Sequence, residues 1–553
     1  MALVAAFPSI SRRDLLRVGG AALATGLASP WISTASFGKS GLGNSMRQPL
    51  WRGTNPFSLG VAAGEPSADG FVLWTRLAPD PLSGDPMSPG GIPAAAGDIE
   101  IAYEVAEDPD LRVIRRGGTV LAEAAYGHSV HLELAGLDPN RPYWYRFNSG
   151  GMDSRIGKAV TAPAAGQKLD RLRLGVVSCS NYERGYFSAY RHLADEQPDL
   201  VLFLGDYIYE KVMHGGNAAY ALRHHSDGVA AATLPHYRNR YAQYRLDPDL
   251  QRLHAELPVL LTWDDHEVQN DYAGIWSETF DHPADFLKRR AAAYRAFYEH
   301  MPVRPSRALP QGPDMRLYGR FGFGDLAEIS MLDGRQYRSR EACYGPPDHG
   351  GGHLETVGAC PELDAADRSM LGIDQEEWLY EGMAASKARW NILAQDVLMA
   401  PFRQRQPAPE HDFAVSTDRW DGYPANRVRL LRRIHETRLA NPVVLGGDIH
   451  SFWTTDLHLD PADETSPVVA SEFVGTSVTS PGPDYDFIMR DMGNNPHVRF
   501  FDSRQRGYLS LDLTRAAMTA RLQVVSDVRD PQATLATLKT FVIENGRTGA
   551  VTA

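Results

Sequence analysis

Val201-Leu202-Phe203-Leu204-Gly205-Asp206-Tyr207-Ile208-Tyr209-Glu210 is the stretch whose reading decides the fold. Four apolar residues without a polar break predict a strand buried on both faces, as in a parallel sheet covered on each side. Gly205 lets the backbone turn at once, so Asp206 arrives at the carboxyl end of the strand, with Tyr209 three residues on. Open α/β sheets bind their ligands outside those carboxyl ends. Taken alone, Asp206 has two readings: the N-cap of a following helix, or an acid, a base or a metal ligand.

The same design recurs along the chain. Leu172–Val177 runs into Ser178-Cys179, Leu257–Trp263 into Asp264-Asp265-His266 with Asn270-Asp271 just beyond, and Pro442–Gly447 into Asp448-Ile449-His450. Leu326–Leu332 ends at Asp333, before Arg335 and Arg338. Any one of these ends reads as a cap or a satisfied core polar group. Several at successive carboxyl ends of one sheet must converge in space. Asp448 and His450, two residues apart, project from one face if strand geometry persists. Carboxylates, an amide and an imidazole suit hard or borderline divalent ions. A thiolate from Cys179 and a phenolate from Tyr209 suit a ferric ion instead, and Asp206 is placed to bridge the two. Metals about 3.5–4 Å apart clamp an in-line attack at phosphorus and bring a bound water towards a pKa of about 7, making hydroxide available. His266 reads as an acid or phosphate contact, or as a structural partner of Asp264. Arg335 or Arg338 reads as a phosphate contact, or as a salt-bridge partner.

Around this core, residues 55–165 read as an all-β, immunoglobulin- or fibronectin-like sandwich. Ile99–Val105 and His128–Leu134 alternate with period two. A turn at Leu137-Asp138-Pro139-Asn140 precedes Tyr143, the spacing of a tyrosine corner. Residues 170–530 alternate strands and helices and form the catalytic α/β domain. Tyr186, Phe187, Tyr190, Leu193 and Ala194 share a helical face. Asp374 with Glu377 resembles a capping box. A closing hairpin is expected around Thr514–Ala517, and residues 531–553 are read as a C-terminal helix and tail. The segment Lys211–Tyr241 carries His214, His224, His225 and His236 and is either a lid or a solvated insertion.

Composition narrows the function. The chain has 553 residues and a formal net charge of -12, which excludes general nucleic-acid binding. An acidic surface still admits an anionic substrate where a metal supplies local positive charge. Ser11-Arg12-Arg13-Asp14-Leu15-Leu16, followed by a weakly apolar Gly/Ala-rich run, is a twin-arginine export signal over residues 1–40. The run is too short and too polar for a stable membrane span. The implied partner is the twin-arginine translocation machinery, and the implied location is periplasmic or secreted. Cys343 and Cys360 flank a Gly/Pro/His-rich loop and can pair across it, leaving Cys179 as the odd thiol.

Several motifs carry a family resemblance. Ser178-Cys179, Gly205–Glu210, Trp263–Asp271, Asp333-Gly334-Arg335-Gln336-Tyr337-Arg338-Ser339 and Gly447-Asp448-Ile449-His450 together resemble the PhoD-like alkaline phosphatase/phosphodiesterase family. Leu59–Pro66 and Val72–Arg76 match it as well. The resemblance implies an αββα metallophosphoesterase sandwich behind an Ig-like domain, similar to purple acid phosphatases. It implies a site holding Fe3+ with one or two Ca2+. Cys179, Asp206 and Tyr209 are then the iron ligands, with Asp206 bridging, and Asn270, Asp448 and His450 complete the set. Asp265 stands where the broader superfamily has the Asn of its Asn-His-Glu motif, so either Asp265 or Asn270 is the ligand from that strand. The expected activity is hydrolysis of phosphate monoesters at alkaline pH. Phosphodiesterase or phospholipase D activity is the alternative within the family, and a secreted binding protein with an inert core is the alternative outside it.

Overall fold

A computed structural model describes residues 51, 53–213, 215–346, 350–405, 413–463 and 465–553. The export signal and His214 lie outside the described residues. The Leu200–Leu204 strand pairs in parallel with Arg171–Val177 on one side and with Val259–Thr262 on the other, in the registers Phe203↔Val177 and Phe203↔Leu261. Its alternate side chains go to opposite layers. Leu200, Leu202 and Leu204 join an apolar core shared with Ile329, Ile392 and Leu445 of a second sheet. Val201 and Phe203 pack under helices through Leu193, Leu253 and Phe297. This is why the strand has no polar face.

The first sheet has ten strands and the second, facing it, has seven. The second is built around Ala327–Met331, Trp390–Ala394, Pro442–Gly446 and Val468–Val474, paired in parallel. Helices Ser188–Glu196, Pro248–Glu256 and Pro283–His300 cover the outer face of the first sheet. Ile373–Ala385 and Pro424–Thr437 cover that of the second. The result is the expected αββα sandwich.

The N-terminal β-region is more intimately joined than a preceding module. Val61–Ser67, Gly70–Arg76 and Ser129–Leu134 form one face of its sandwich, and Val61–Ser67 also pairs in parallel with Val259–Thr262. One wall of the β-region therefore continues the catalytic sheet. Ile99–Ala106, Ile114–Ala122 and Pro142–Ser149 form the facing wall across an apolar core. Tyr143 makes the expected corner: it is fully buried, and the Asp138 backbone N–H donates to its hydroxyl at 3.0 Å.

Three expectations are corrected. Residues 531–553 are strand, not helix: Leu535–Glu544 and Val551–Thr552 extend the edge of the first sheet. Thr540, Phe541, Val542 and Ile543 favour a pleated surface, and burial of Phe541 and Ile543 with period two fixes which face packs inward. Asp374 does not cap its helix. The helix starts after Gly372, whose φ of 72° is open to glycine. Ser369 Oγ accepts from the backbone N–H of Leu371 and Gly372 at 3.1 and 2.8 Å, which shapes that turn. The His-rich segment is largely irregular and turns α-helical only from Leu234, in Leu234–Arg245, while His225 is buried, stacked between Tyr182 and Tyr244. The Thr514–Ala517 hairpin and the Cys343–Cys360 disulfide are both present, and Cys179 is a buried free thiol.

Candidate metal centre

The strand ends do converge, but from both sheets. Cys179, Asp206 and Asp265 follow neighbouring strands of the first sheet, whereas Asp448 and His450 follow Pro442–Gly446 of the second. The site therefore sits on the rim where the two sheets face each other. Asp448 and His450 do not continue a strand. Their φ values are 63° and 51°, and Cys179 and Asp206 share this left-handed conformation at 61° and 52°. Non-glycine residues there carry roughly 1–3 kcal/mol of backbone strain each, and such residues cluster at functional sites.

Those turns split the candidate ligands into overlapping groups. Cys179, Asp206 and His450 bring one ligand atom each within 4.8 Å of one another; so do Asp206, Asp265 and His266, and so do Asp264, Asp265 and Asp448. Asp206 is common to the first two groups and Asp265 to the last two. Asp448 and His450 thus serve different groups rather than one face. Tyr209 joins the first group: its hydroxyl donates to Asp206 Oδ2 at 2.8 Å and lies 3.1 Å from His450 Nε2. Ser480 Oγ donates to the same hydroxyl at 2.7 Å. His450 Nδ1 is 3.0 Å from the Pro481 carbonyl, which holds its proton there and leaves Nε2 as the acceptor. Burial and Arg506 keep this imidazole neutral, its pKa lowered to about 3.

The electrostatics call for added positive charge. Asp206, Glu210, Asp264, Asp265, Glu267, Asp396, Asp418 and Asp448 crowd around Arg335, Arg338 and His266. Burial first, then neighbouring carboxylates, push Asp206 and Asp264 well above the usual carboxylate range. Burial and Asp418 push Asp448 up to about 7. Burial and Asp206 also raise the Cys179 thiol and the Tyr209 phenol. Asp264 Oδ2, Asp265 Oδ1 and both oxygens of Asp396 are buried without a hydrogen bond, Asp265 Oδ1 and Asp396 Oδ2 having only the Arg335 guanidinium 3.5 Å away, a costly state unless further charge compensates it. Sulfur, phenol, imidazole and carboxylate donors with orphaned oxygens fit bound cations.

Two further residues within the quoted motifs, Glu267 and Glu210, assemble the site in roles that the motifs did not disclose. Glu267 accepts from the backbone N–H groups of Asp206, Tyr207 and Asp264, tying adjacent strand ends together. Glu210 Oε2 lies 2.6 Å from His266 Nδ1. Burial works against the charge of Glu210, yet His266 and the Asn270 amide hold it down at about 2. Burial likewise opposes charging of His266, but Glu210, Asp265 and Asp206 outweigh it and raise its pKa well above the ordinary value. The structural partner of His266 is therefore Glu210, not Asp264. Asn270 Nδ2 donates to Glu278 at 3.0 Å, leaving its carbonyl oxygen without a hydrogen bond among the described residues.

Arg335 is the main correction to the site. Of its two readings, phosphate contact and salt-bridge partner, the structure bears out the second: it is fully buried and bonded to Asp264 and Asp418, with Asp265 and Asp396 each 3.5 Å away. It holds the carboxylates apart and in place. Arg338 is likewise buried on Asp418 and Glu341. Above this layer opens a cleft of about 470 Å³, lined by Asp448, His450, Asp271, His353, Arg419 and Pro481 among others. None of His224, His225 and His236 lines it.

A rim of strand ends between two sheets, carrying a cation-seeking donor set below an open cleft, defines a metallophosphoesterase-type site. The chain belongs to the PhoD-like phosphatase family: the family model matches residues 174–522, and that of the PhoD-like N-terminal domain matches residues 44–163. It is 42% identical over 507 residues to alkaline phosphatase D of Bacillus subtilis (strain 168), covering 89% of this chain and 82% of that protein. A solved structure described as that of PhoD superposes with a TM-score of 0.82 at 42% identity, over 90% of this chain and 92% of that one. The chain is accordingly a phosphoesterase.

Proposed function

We propose that this enzyme is an exported phosphomonoesterase, active at alkaline pH, that works with Fe3+ and Ca2+ at the rim site. The observation that carries the reading is the donor set: a thiol, a phenol and an imidazole around Asp206, beside a cluster of carboxylates with orphaned oxygens. Cys179, Asp206, Tyr209 and His450 would hold the ferric ion. Asp206, Asp265 or Asn270, and Asp448 would hold the divalent one. Bound cations supply charge neutralisation for a phosphoryl group and lower the pKa of water towards about 7.

The chain's own groups do the rest. His266, protonated at Nδ1 against Glu210, offers its other nitrogen to the leaving-group oxygen. Arg335 keeps the carboxylates in register as a positioning residue. The Ser11–Leu16 motif supports export, and no helix among the described residues is long and apolar enough to cross a membrane.

Elemental analysis, visible absorption and an aryl phosphate assay, each before and after chelation, test the reading. Iron and calcium should be present, with a visible band from thiolate or phenolate on ferric iron, and activity should vanish on chelation and return with the metals. Cys179→Ser and Tyr209→Phe should lower iron content. A colourless, iron-free protein with full activity would overturn the assignment.

A further inference from the structure

The guanidinium groups near the site are nearly all committed. Arg335 and Arg338 are buried on carboxylates. Arg506 donates to the carbonyls of His450, Ser480 and Ser503. Arg419 differs. Its side chain makes no hydrogen bond among the described residues, its nearest anion is Asp448 at 3.9 Å, and its side chain is 26% exposed. Among the described residues it is the sole Arg or Lys that lines the cleft.

Its flanks are buried and hydrogen-bonded. Thr417, Asp418, Trp420 and Asp421, its neighbours on both sides, are all buried. Thr417 Oγ1 donates to Glu341 at 3.0 Å, Asp418 grips Arg335 and Arg338, and Trp420 Nε1 donates to Gln395 at 3.2 Å. The Arg419 carbonyl accepts from the Gly422 N–H at 2.8 Å. Gln404, only 8% exposed, lines the same cleft, and its side chain makes no hydrogen bond among the described residues. The Pro481-Gly482-Pro483 part of the lining offers no cation. A guanidinium without a hydrogen-bond partner among the described residues, held between buried neighbours and paired only at 3.9 Å with a candidate metal ligand, is a preorganised anion contact.

We propose that Arg419 binds the non-bridging oxygens of the substrate phosphoryl group and thereby favours dianionic monoesters over monoanionic diesters. The inference rests on the phosphomonoesterase reading of the same site. A guanidinium fork matches two phosphoryl oxygens at once. At alkaline pH a monoester presents three non-bridging oxygens and two charges, so oxygens remain for Arg419 while others face the cations. A diester presents two oxygens and one charge, and Arg419 must then compete with the cations for them. Its attraction to the substrate also falls with the lost charge.

The test compares wild type, Arg419→Ala and Arg419→Lys on p-nitrophenyl phosphate and bis(p-nitrophenyl) phosphate. Inhibition by inorganic phosphate and metal content are measured in parallel. Arg419→Ala should lose about 10²–10³-fold in kcat/KM on the monoester, the scale of one oxyanion contact. On the diester it should lose less than a tenth of that. Inhibition by phosphate should weaken, metal content should hold, and Arg419→Lys should fall between on the monoester. Equal losses on both esters, or unchanged inhibition by phosphate, would overturn the inference. So would metal loss in step with activity, which means that Arg419 acts through Asp448. A metal-loaded wild type that hydrolyses neither ester overturns the phosphomonoesterase reading too; an active wild type matched by Arg419→Ala overturns this inference alone.

Discussion

At the scale of single residues, the centre is governed by compensation of buried charge. Arg335 sits at the focus: with no exposed surface, it neutralises Asp264 and Asp418 and lies 3.9 Å from Asp448. Removing one partner of a buried ionic cluster strands the others, typically at a cost of about 3–5 kcal/mol. Arg335→Met should therefore lose stability on that scale and fail to retain metal, as read from urea unfolding and elemental analysis of the same preparation. A loss below about 1 kcal/mol with metal retained would show that the carboxylates need no guanidinium. Cys179 and Tyr209 are the counterparts at the other end of the site: their anionic forms are disfavoured by burial and by Asp206, so a cation is the natural cause for ionising them.

At the scale of the element, the strand-to-loop turn delivers the chemistry. Gly205 has a φ of 92°, and a Cβ there would stand 2.3 Å from Asp264 Cβ and 2.6 Å from the Asp264 backbone nitrogen. The two strand ends approach this closely because Glu267 binds the backbone of both. Gly205→Ala should thus cost more than its backbone strain of about 1 kcal/mol. Gly166→Ala is the control, since Gly166 has a similar φ of 73° and nothing within 4 Å of its would-be Cβ. Thermal melts of the two variants separate crowding from strain. Equal shifts in Tm would mean that the Asp206 and Asp264 turns can slide apart.

At the scale of the whole molecule, acid sensitivity follows from buried neutral histidines. His300 is fully buried where the helix Pro283–His300 meets the β-region; its Nδ1 is 2.7 Å from the Ala296 carbonyl and its Nε2 2.6 Å from Arg76. Burial first, then Arg76, lowers its pKa well below 6.5. The folded protein keeps it neutral while the unfolded chain protonates it below about 6.5. Its contribution is therefore complete above that pH and is lost as pH falls towards the folded value. Urea unfolding should show stability dropping between pH 7.5 and 5.5, with a shallower drop in His300→Gln. Identical slopes in the two proteins would remove His300 as the cause.

Much of this was legible in the chain itself. An unbroken apolar run followed by Gly205-Asp206 specifies a doubly covered strand with a carboxylate at its end, because local pattern alone sets both features. The Tyr143 corner and the Cys343–Cys360 pair were readable for the same reason: each depends on short spacing. What tertiary structure decided are the long-range matters. Asp448 and His450 come from the facing sheet, and the Val61–Ser67 strand fuses the β-region to the catalytic sheet. Strand pairing draws its energy from neighbours distant in sequence, which no local pattern encodes. The same holds for the arginines. Arg335 and Arg419 look alike on paper, and only the positions of Asp264, Asp418 and the cleft make one a fully buried counter-charge and place the other in the cleft lining, with Asp448 at 3.9 Å.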